Sequence, residues 1–474
     1  MTTIEAVALP QRVLALPVPV PRPRGRQTAW TIGAITVVWG TSLMVAALWV
    51  VHGGISAMFG GPGAALTSAG RVTGLVAANL LLLQVLLMAR IPLFERGFGR
   101  DGITRAHRIT GFWSFWLMFA HIGLLVVGYA ADAGVAWWVQ LWDFVWNYPG
   151  MLLATAGTLA LVAVVVSSAR RARRRLRYES WHLLHLYAYL GVALAVPHML
   201  WTGGDFLGDP VSTAYWWTLW AVAAASIVAF RIVVPLARSA YHGIRVESVR
   251  PDGTRGVAVR MTGRRLGALR AEAGQFFIWR FLDGPGWTRG HPFSLAADPA
   301  GGGLEIAVAL AGDDTRRLAG VQPGTRVLVE GPYGTMTGRV RRSPRMLMIG
   351  AGAGVAPLIG ILEAERFAPG AATLIVRDHD AAASMRGSQI ARLVAERGLR
   401  FVHLSGSRRR GASSWMPATH AAWSGADLLR HIAGGLEDTD VFLCGPEAWM
   451  AAVRADLRSA GVSADLIHSE SFAL

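Results

Sequence analysis

The sequence has a single cysteine, Cys444, and no lysine among its 474 residues. One cysteine excludes an intramolecular disulfide, an iron–sulfur cluster and a cysteine-based zinc site. The net charge of +16 therefore comes entirely from arginine. Charged residues are scarce at 16%, whereas 53% of residues are apolar and the mean hydropathy is +0.38. This composition is too apolar for a soluble enzyme and predicts membrane spans.

Long apolar runs occupy the first half of the chain, after a tail rich in proline and arginine. The tail, residues 1–28, cannot build a core and is expected to be disordered. A helix needs about 20 residues to cross a hydrocarbon layer about 30 Å thick. Six stretches meet this length, near residues 29–52, 71–92, 107–130, 148–168, 180–201 and 214–235.

Arginine clusters alternate with arginine-free connections between these spans. The clusters lie in the tail and in the second and fourth connections: Arg22, Arg24, Arg26; Arg90, Arg96, Arg100, Arg105; and the run over residues 170–177. The positive-inside rule then places both termini in the cytoplasm of a plasma (inner) membrane protein. The same pattern explains much of the excess charge, so we expect a bilayer and no nucleic acid as partner.

Histidines inside two of the spans are functional candidates, because histidine is costly in hydrocarbon. His107 and His121 are 14 positions apart (121 − 107), so they lie within about 40° of one helix face and about 21 Å apart along it. His185 and His198 can pair with them at matched depths. However, an ideal helix sets these two about 140° apart, and His182 is an alternative to His185. Two stacked imidazole pairs suit two haems ligated on both faces.

The pattern of apolar residues changes after Arg238. Short alternating runs split by glycine and proline predict a small antiparallel barrel over residues 239–342. From Arg345, buried apolar strands alternate with helical stretches, which predicts a parallel α/β sheet over residues 343–474. The six spans of residues 29–238 form the remaining domain.

The stretch WHLLHLYAYLGVALAVPHMLW, residues 181–201, resembles the fifth span of the ferric reductase and NADPH oxidase superfamily. The resemblance extends over almost everything after the tail. It implies a six-helix membrane haem bundle followed by a β-barrel FAD domain and an α/β nucleotide-binding domain. It also implies two haem b groups, held by His107 with His185 and by His121 with His198, and thus favours His185 over His182.

The tetrapeptide HPFS resembles the flavin motif of oxidase-type reductases. We expect His291 to approach the FAD pyrophosphate, Phe293 to lie against the isoalloxazine ring and Ser294 to hydrogen-bond near flavin N5, with Pro292 between them. An ordinary strand end is the alternative for the tetrapeptide alone.

Two further segments follow the flavin motif, in the same order as in the family that it resembles. AGDDTRRLAG resembles its GDxT segment through Gly312 and Thr315, at a short helix whose free amides attract phosphate. Asp314 stands there in place of the usual aromatic residue. The later GPYG, residues 331–334, closes the barrel in ferredoxin-reductase-like enzymes.

A glycine-rich turn opens the last domain. Gly350, Gly352 and Gly354 would let the backbone approach a pyrophosphate at a helix start, with Pro357 in the first turn. Downstream, in FLCGPEAWM, the residues Cys444, Gly445 and Pro446 resemble the family's CGP segment beside the nicotinamide ring. Cys444 is alternatively a small buried apolar residue.

Arginines also suggest the identity of the nucleotide. Arg377 and the SGSRRR segment with Arg408 offer guanidinium groups to a 2′-phosphate, which favours NADPH over NADH, although NADH is possible and a solvated basic loop is the alternative. In the C-terminal SESFAL, Phe472 is expected to cover the flavin until the nicotinamide displaces it, or simply to pack.

These assignments predict an NAD(P)H-dependent flavohaem oxidoreductase that delivers electrons to an extracytoplasmic acceptor, ferric iron or dioxygen. The acids of the outer connections could gather ferric ions or be ordinary solvated residues: Asp132, Asp143, Asp205 and Asp209. The rival is a histidine-bearing channel or transporter with a regulatory nucleotide-binding tail.

Overall fold

The computed structural model describes residues 25–173, 175–176, 178–207, 209–284, 286–411 and 413–471. The expected disordered tail therefore lies almost wholly outside the described residues. The chain divides into two compact units. One is helical and comprises Gln27–Phe98 and Gly102–Ile232; the other contains the strands and starts at Val233, with residues 99–101 added.

The helical part follows the expected spans. Its helices are α1 (Gly25–Val51), α2 (Gly54–Ala57), α3 (Pro62–Met88), α4 (Pro92–Ala133), α5 (Trp137–Asn147), α6 (Met151–Ser168), α7 (Arg170–Arg173), α8 (Tyr178–Thr202), α9 (Gly204–Leu207), α10 (Pro210–Val228) and α11 (Val234–His242). Within the described residues, six helical stretches are long and apolar enough to cross a membrane, which confirms the prediction. The second begins earlier than expected, at Pro62, where proline suits a first helical position.

Two of the spans have an irregular backbone. In α4, Gly99 (φ 64°, ψ 170°) separates a short segment from the span that begins at Gly102. A π-helical turn, Ala229–Val233, joins α10 to α11. Glycine permits the positive φ, and single π turns are the usual way to insert a residue into a helix.

Small residues allow the closest helix crossing. A Cβ atom on Gly157 of α6 would lie 2.6 Å from the carbonyl oxygen of Gly191 of α8. Neither position therefore tolerates a side chain without separating the helices. Close backbone approach through small residues is typical of helix pairs in membranes, where lipid offers no hydrophobic driving force.

The first six strands form two antiparallel sheets of three strands each. They are β1 (Arg245–Pro251), β2 (Gly256–Thr262), β3 (Phe276–Phe281), β4 (His291–Ser294), β5 (Leu304–Ala309) and β6 (Val327–Tyr333), in orders β1-β2-β5 and β4-β3-β6. Buried Val259, Phe277, Trp279 and Ile306 belong to one core between them. Within the described part of the chain, isolated bridges such as Leu295 with Ile306 link the sheet edges. The region expected to form a barrel therefore consists of two sheets rather than one continuous hydrogen-bonded sheet.

The last five strands form one parallel sheet in the order β11-β10-β7-β8-β9. They are β7 (Arg345–Ala351), β8 (Ala372–Asp378), β9 (Arg400–Ser405), β10 (Thr439–Gly445) and β11 (Ile467–Ser471). The helices of this half are α12 (Asp313–Arg317), α13 (Val355–Ala364), α14 (Gly387–Arg397), α15 (Gly425–Ala433) and α16 (Glu447–Ser459). Strands β8 and β10 are buried throughout, as expected for a parallel sheet covered on both faces.

Candidate functional site

The first histidine pair joins α4 to α8. The imidazole rings of His107 and His185 lie edge to face, with centroids 6.0 Å apart. Two iron–nitrogen bonds of about 2 Å, plus about 1 Å from each nitrogen to its ring centre, come to about 6 Å. The observed separation therefore fits a haem iron between the rings. His182 is exposed, whereas His185 is partly buried against His107.

Two side chains next to His185 orient its ring. The hydroxyl of Ser168 lies 3.3 Å from His185 Nδ1 and also accepts a hydrogen bond from Trp181 Nε1 at 3.3 Å. The Trp181 ring lies against the imidazole, with centroids 5.1 Å apart. Partners of this kind set the tautomer and direction of a histidine that binds a metal.

The second pair involves the other end of the same two helices. His121 Nδ1 donates to the carbonyl oxygen of Gly70 at 2.8 Å, which leaves Nε2 as the free acceptor nitrogen. A Cβ atom on Gly74, one turn further along α3, would overlap the His121 ring. Helix α3 therefore holds His121 through a backbone carbonyl and a glycine that makes room for the ring.

His198, the expected partner of His121, lies on α8 and is partly buried. Its Nδ1 atom is buried and has no hydrogen-bond partner among the described residues, and the same holds for His107 Nδ1. A buried polar nitrogen without a partner costs about 1–3 kcal/mol. Either nitrogen would therefore gain from a hydrogen-bond partner or a ligand.

The histidines occur as pairs rather than as a protein-only metal site. No group of three or more histidine, cysteine, aspartate or glutamate side chains suited to a metal ion occurs among the described residues. A haem needs only two protein ligands, because the porphyrin supplies the other four. The pairs therefore fit haem better than a bare ion.

Asp205 and Asp209, the acids of the fifth connection, contact other residues of the protein. Asp205 is buried and bound in a bidentate ion pair by Arg71 of α3, and His52 Nδ1 lies 3.4 Å from the same carboxylate. Asp209 caps α10 by accepting from the backbone amide of Ser212 at 2.7 Å. These contacts hold helix ends together, so Asp205 is not the solvated residue that was one of the two expectations, and Arg71 rather than a ferric ion binds its oxygens.

The flavin motif forms strand β4. The rings of His291 and Phe293 stack at 5.8 Å with 9° between planes, and Trp279 Nε1 donates to the Phe293 carbonyl oxygen at 2.9 Å. Phe293 packs partly against the core of the two sheets, while Ser294 next to it is buried. Neighbours on a strand point to opposite faces, so Phe293 and Ser294 extend from different faces of β4.

The charge of His291 bears on its proposed phosphate contact. Burial lowers the pKa of His291, and the nearby positive charges of Arg317 and Arg289 act in the same direction, while Asp314 opposes them. The shift favours the neutral imidazole, which can donate one hydrogen bond to a pyrophosphate.

The GDDT segment forms the start of α12. Gly312 and Thr315 cap this helix themselves, because the Gly312 amide donates to the Thr315 hydroxyl at 3.0 Å. Asp313 and Asp314 occupy the first turn, and Arg289 pairs with Asp314 at 2.9 Å. Two acids at a helix start work against phosphate binding there, so the expected phosphate contact is opposed by these side chains.

The glycine-rich turn and the CGP segment come together in the parallel sheet. Gly350 of β7 is in register with Cys444 of β10. Gly352 has φ +54°, which favours glycine, and a Cβ atom on Gly354 would overlap the Cys444 carbonyl oxygen. Pro357 is buried in the first turn of α13. This turn lies at the carboxyl ends of the strands, where parallel sheets bind nucleotides.

Cys444 and Glu470 lie beside this turn. The Cys444 thiol is fully buried, and burial, with a smaller effect of Glu470, raises its pKa well above the ordinary range. Glu470 was not singled out in the sequence. Its carboxylate accepts from the backbone amides of Thr335 at 3.2 Å and Met336 at 3.4 Å, which ties β11 to the segment after β6. Phe472 lies outside the described residues.

Arg377 does not have the role expected from the sequence. Its guanidinium is buried and donates to backbone carbonyl oxygens, including those of Trp415 at 3.0 Å and Gly406 at 2.8 Å. Those bonds use its donors within the protein, so it is not free to hold a 2′-phosphate. Arg408 and Arg410 are exposed and line an open surface pocket.

An acidic residue does occur near the expected ribose position. Asp378 ends β8, the strand beside β7, where dinucleotide-binding folds place a carboxylate for the ribose hydroxyl. Its side chain is buried and lies 3.3 Å from His403 Nε2.

Comparison with known proteins finds matches to the helical part of the chain. Residues 73–196 match the model of the ferric reductase like transmembrane component family. The heme-binding subunit MsrQ of protein-methionine-sulfoxide reductase is a relative in two bacteria. The Pectobacterium carotovorum protein is 29% identical over 160 residues, 34% of this chain and 72% of the relative. The Deinococcus radiodurans protein is 29% identical over 175 residues, 36% and 78% respectively.

Solved structures similar to the chain include flavoproteins. The flavohemoglobin of Malassezia yamatoensis with bound FAD and heme is 17% identical, with a TM-score of 0.40, and the match covers 86% of this chain and 98% of that one. The ferredoxin NADP+ reductase of Neisseria gonorrhoeae with bound FAD and NADP is 19% identical, with a TM-score of 0.39, covering 48% and 97%. TM-scores this low do not support an inference about function.

The six apolar helices and the family match together define a multi-pass membrane protein of the oxidoreductase class. More particularly, residues 73–196 are similar to the ferric reductase like transmembrane component, and a sheet-rich part follows them in the same chain.

Proposed function

We propose that the chain passes electrons from cytoplasmic NADPH, through FAD and two haem b groups, to an acceptor on the other side of the plasma membrane. NADH is the alternative donor. The observation that carries the proposal is the 6.0 Å separation of His107 and His185, with His121 and His198 further along the same two helices. Both termini are cytoplasmic in this proposal, in agreement with the arginine-rich connections.

Each proposed domain has its own role in electron transfer. Residues 29–238 hold the haems, residues 239–342 bind FAD and residues 343–474 bind the nucleotide, with residues 1–28 as a cytoplasmic tail. Bound FAD would take a hydride from the nucleotide and release single electrons, which bound haems would relay. With a cytoplasm negative by about 100 mV, each electron that crosses outward gains roughly 2.3 kcal/mol.

The chain's own residues orient the groups that this requires. Ser168 and Trp181 set the direction of His185, and the Gly70 carbonyl holds His121 with Nε2 free. At the nucleotide site, Gly354 allows the turn to contact the end of β10, and the exposed Arg408 is proposed to contact the 2′-phosphate. In the flavin motif, His291, Pro292, Phe293 and Ser294 are proposed to contact FAD.

The external acceptor is ferric iron or dioxygen in this proposal. The similarity to MsrQ favours a further candidate, because those relatives are named as heme-binding subunits of a methionine-sulfoxide reductase. The acceptor would then be a partner protein outside the cytoplasm.

Sealed vesicles containing the full-length chain test the function. NADPH is added outside and a ferric chelate is trapped inside, with the chain inserted so that its sheets face outward. We expect haem reduction followed by reduction of the trapped chelate. The His198→Ala variant should still reduce a soluble dye on the NADPH side but should fail to reduce the trapped chelate. Absence of haem absorbance in the intact protein would exclude the proposal.

A further inference from the structure

Arg386 is a buried arginine for which the proposed electron path has no role so far. Its side chain is only 1% exposed, although it belongs to the connection between β8 and α14. One end of the guanidinium forms an ion pair with Glu305 of β5, and Nη2 donates to the carbonyl oxygen of Ala296 at 3.0 Å. Glu305 belongs to one of the antiparallel sheets, and Ala296, two residues after β4, donates its amide to the Glu305 carbonyl oxygen at 2.7 Å. The side chain thus crosses from the nucleotide-binding segment to the flavin-binding strands.

The backbone of Arg386 is held as firmly as its side chain. Its φ of +64° is a conformation that residues with a Cβ atom rarely adopt. The amide donates to Asp252 Oδ1 at 2.6 Å, and Asp252 lies in the turn between β1 and β2. In the same turn, the Thr254 amide donates to the Ala382 carbonyl oxygen at 3.1 Å. Such a backbone persists only where the surroundings determine it.

These contacts involve residues that closely follow the flavin motif in the chain. Ala296 is the second residue after Ser294, and the helix that follows the glycine-rich turn approaches the same segment. A Cβ atom on Gly360 of α13 would lie 3.1 Å from the Leu295 carbonyl oxygen. Ala296 is also buried in one core with Val355. The strand of the flavin motif is therefore fixed from two sides by the part of the chain that carries the nucleotide turn.

We propose that Arg386, through its ion pair with Glu305, is a positioning residue that sets the nicotinamide ring against the flavin. The proposal rests on the hydride transfer in the proposed function. A misplacement of about 1 Å can slow a reaction about 100-fold. Because its guanidinium is buried and bonded within the protein, Arg386 acts through alignment and contacts neither ligand. Removal of the arginine would leave the partly buried Glu305 carboxylate without this partner.

The test compares Arg386→Met with the wild-type full-length chain, both loaded with FAD and mixed anaerobically with NADPH. We expect the flavin reduction rate at saturating NADPH to fall about 10- to 100-fold, while the dissociation constant of NADPH changes less than about threefold. The flavin midpoint potential and FAD content should stay the same. The charge-transfer absorbance between nicotinamide and flavin should weaken. A purely structural role would change the thermal stability, but it would not lower the flavin reduction rate while leaving the dissociation constant of NADPH nearly unchanged.

Two further variants complete the test. Arg430→Met is the matched control, because Arg430 pairs with Asp427 on the exposed surface of α15. It should reduce flavin at the wild-type rate. If Arg386→Met does not fold, Glu305→Gln gives the same readout, since Arg386 then keeps its bond to Ala296. A folded, FAD-loaded Arg386 or Glu305 variant with the wild-type rate overturns the proposal. If the wild-type flavin itself is not reduced by NADPH or NADH, the proposed function fails, and the positioning role fails with it.

Discussion

The imidazole rings of His107 and His185 face each other across two membrane helices, with centroids 6.0 Å apart and planes at 66°. The two residues are far apart in the sequence, where matched depth and the family resemblance of residues 181–201 paired them. Their separation is compatible with two axial ligands of a single iron. The nearby His182 is exposed, and His185 is the residue of α8 whose ring lies beside His107.

The first prediction separates these two histidines. His185→Ala should lower the haem content from two to one per chain, because His107 then has no opposite ligand. His182→Ala should keep both haems, which makes it a matched control on the same helix. A pyridine haemochrome assay of the purified variants measures the ratio. The reverse result, with haem lost from the His182 variant alone, would assign the ligand to His182.

The second prediction concerns Gly74, whose Cβ atom would overlap the His121 ring. Gly74→Ala should displace that ring and remove the outer haem, although alanine otherwise favours a helix by about 1 kcal/mol over glycine. Gly123→Ala is the control, because a Cβ atom there meets nothing within 4 Å. Haem spectra of both variants decide the matter. Equal haem content in the two would show that His121 does not need the space.

The third prediction contrasts Arg408 with Arg377. Arg408→Ala should reduce the NADPH to NADH ratio of kcat/KM at least about tenfold, since a charge-assisted contact is worth about 1.5–3 kcal/mol. Arg377→Ala should lower the thermal stability instead, because its guanidinium bonds four backbone carbonyl oxygens around the loop. Steady-state kinetics with both nucleotides and a melting curve provide the measurements. An unchanged ratio in the Arg408 variant would remove it from the nucleotide site.

The fourth prediction is that Cys444 is inert in the folded chain. Burial raises the pKa of its thiol, so almost no thiolate exists at pH 8, and the sulfur is inaccessible. A thiol reagent at pH 8 should label none of the native protein and one site after denaturation, since the chain has a single cysteine. Stoichiometric labelling of the native protein would show that the β10 end opens in solution.

The fifth prediction concerns pH and Asp440. Burial would raise the pKa of this carboxyl, but hydrogen bonds from His468 and from the amides of Arg342 and Ser343 outweigh it and lower the pKa. The folded pKa is below the unfolded one, so the stabilisation is present above about pH 3.9 and is lost as the pH falls through the folded value.

Asp440→Asn should therefore melt earlier than the wild type at pH 7, and the difference should shrink as the pH falls below about 3.9. Tryptophan fluorescence during heating at both pH values measures this. Asp427→Asn, at an exposed carboxylate of α15, serves as the control. A difference that stays constant with pH would mean that the Asp440 charge does not stabilise the fold.

Much of the architecture could be predicted from the sequence because it depends on local properties. The length of an apolar run decides whether a helix can cross a membrane, and six such helices occur in the described residues. Alternating short strands followed by buried apolar strands likewise predicted the antiparallel sheets and the parallel sheet. The spacing of His107 and His121 depends only on helical periodicity.

Tertiary structure decided how the charged and polar side chains are used. Arg377, expected at a phosphate, bonds carbonyl oxygens, and Asp205, expected in solvent, is bound by Arg71. Arg386 drew no attention in the sequence, yet it joins three distant segments. A guanidinium or carboxylate takes whichever partner the fold brings within about 3 Å. That partner is usually remote in the chain, so no local pattern of residues reveals it.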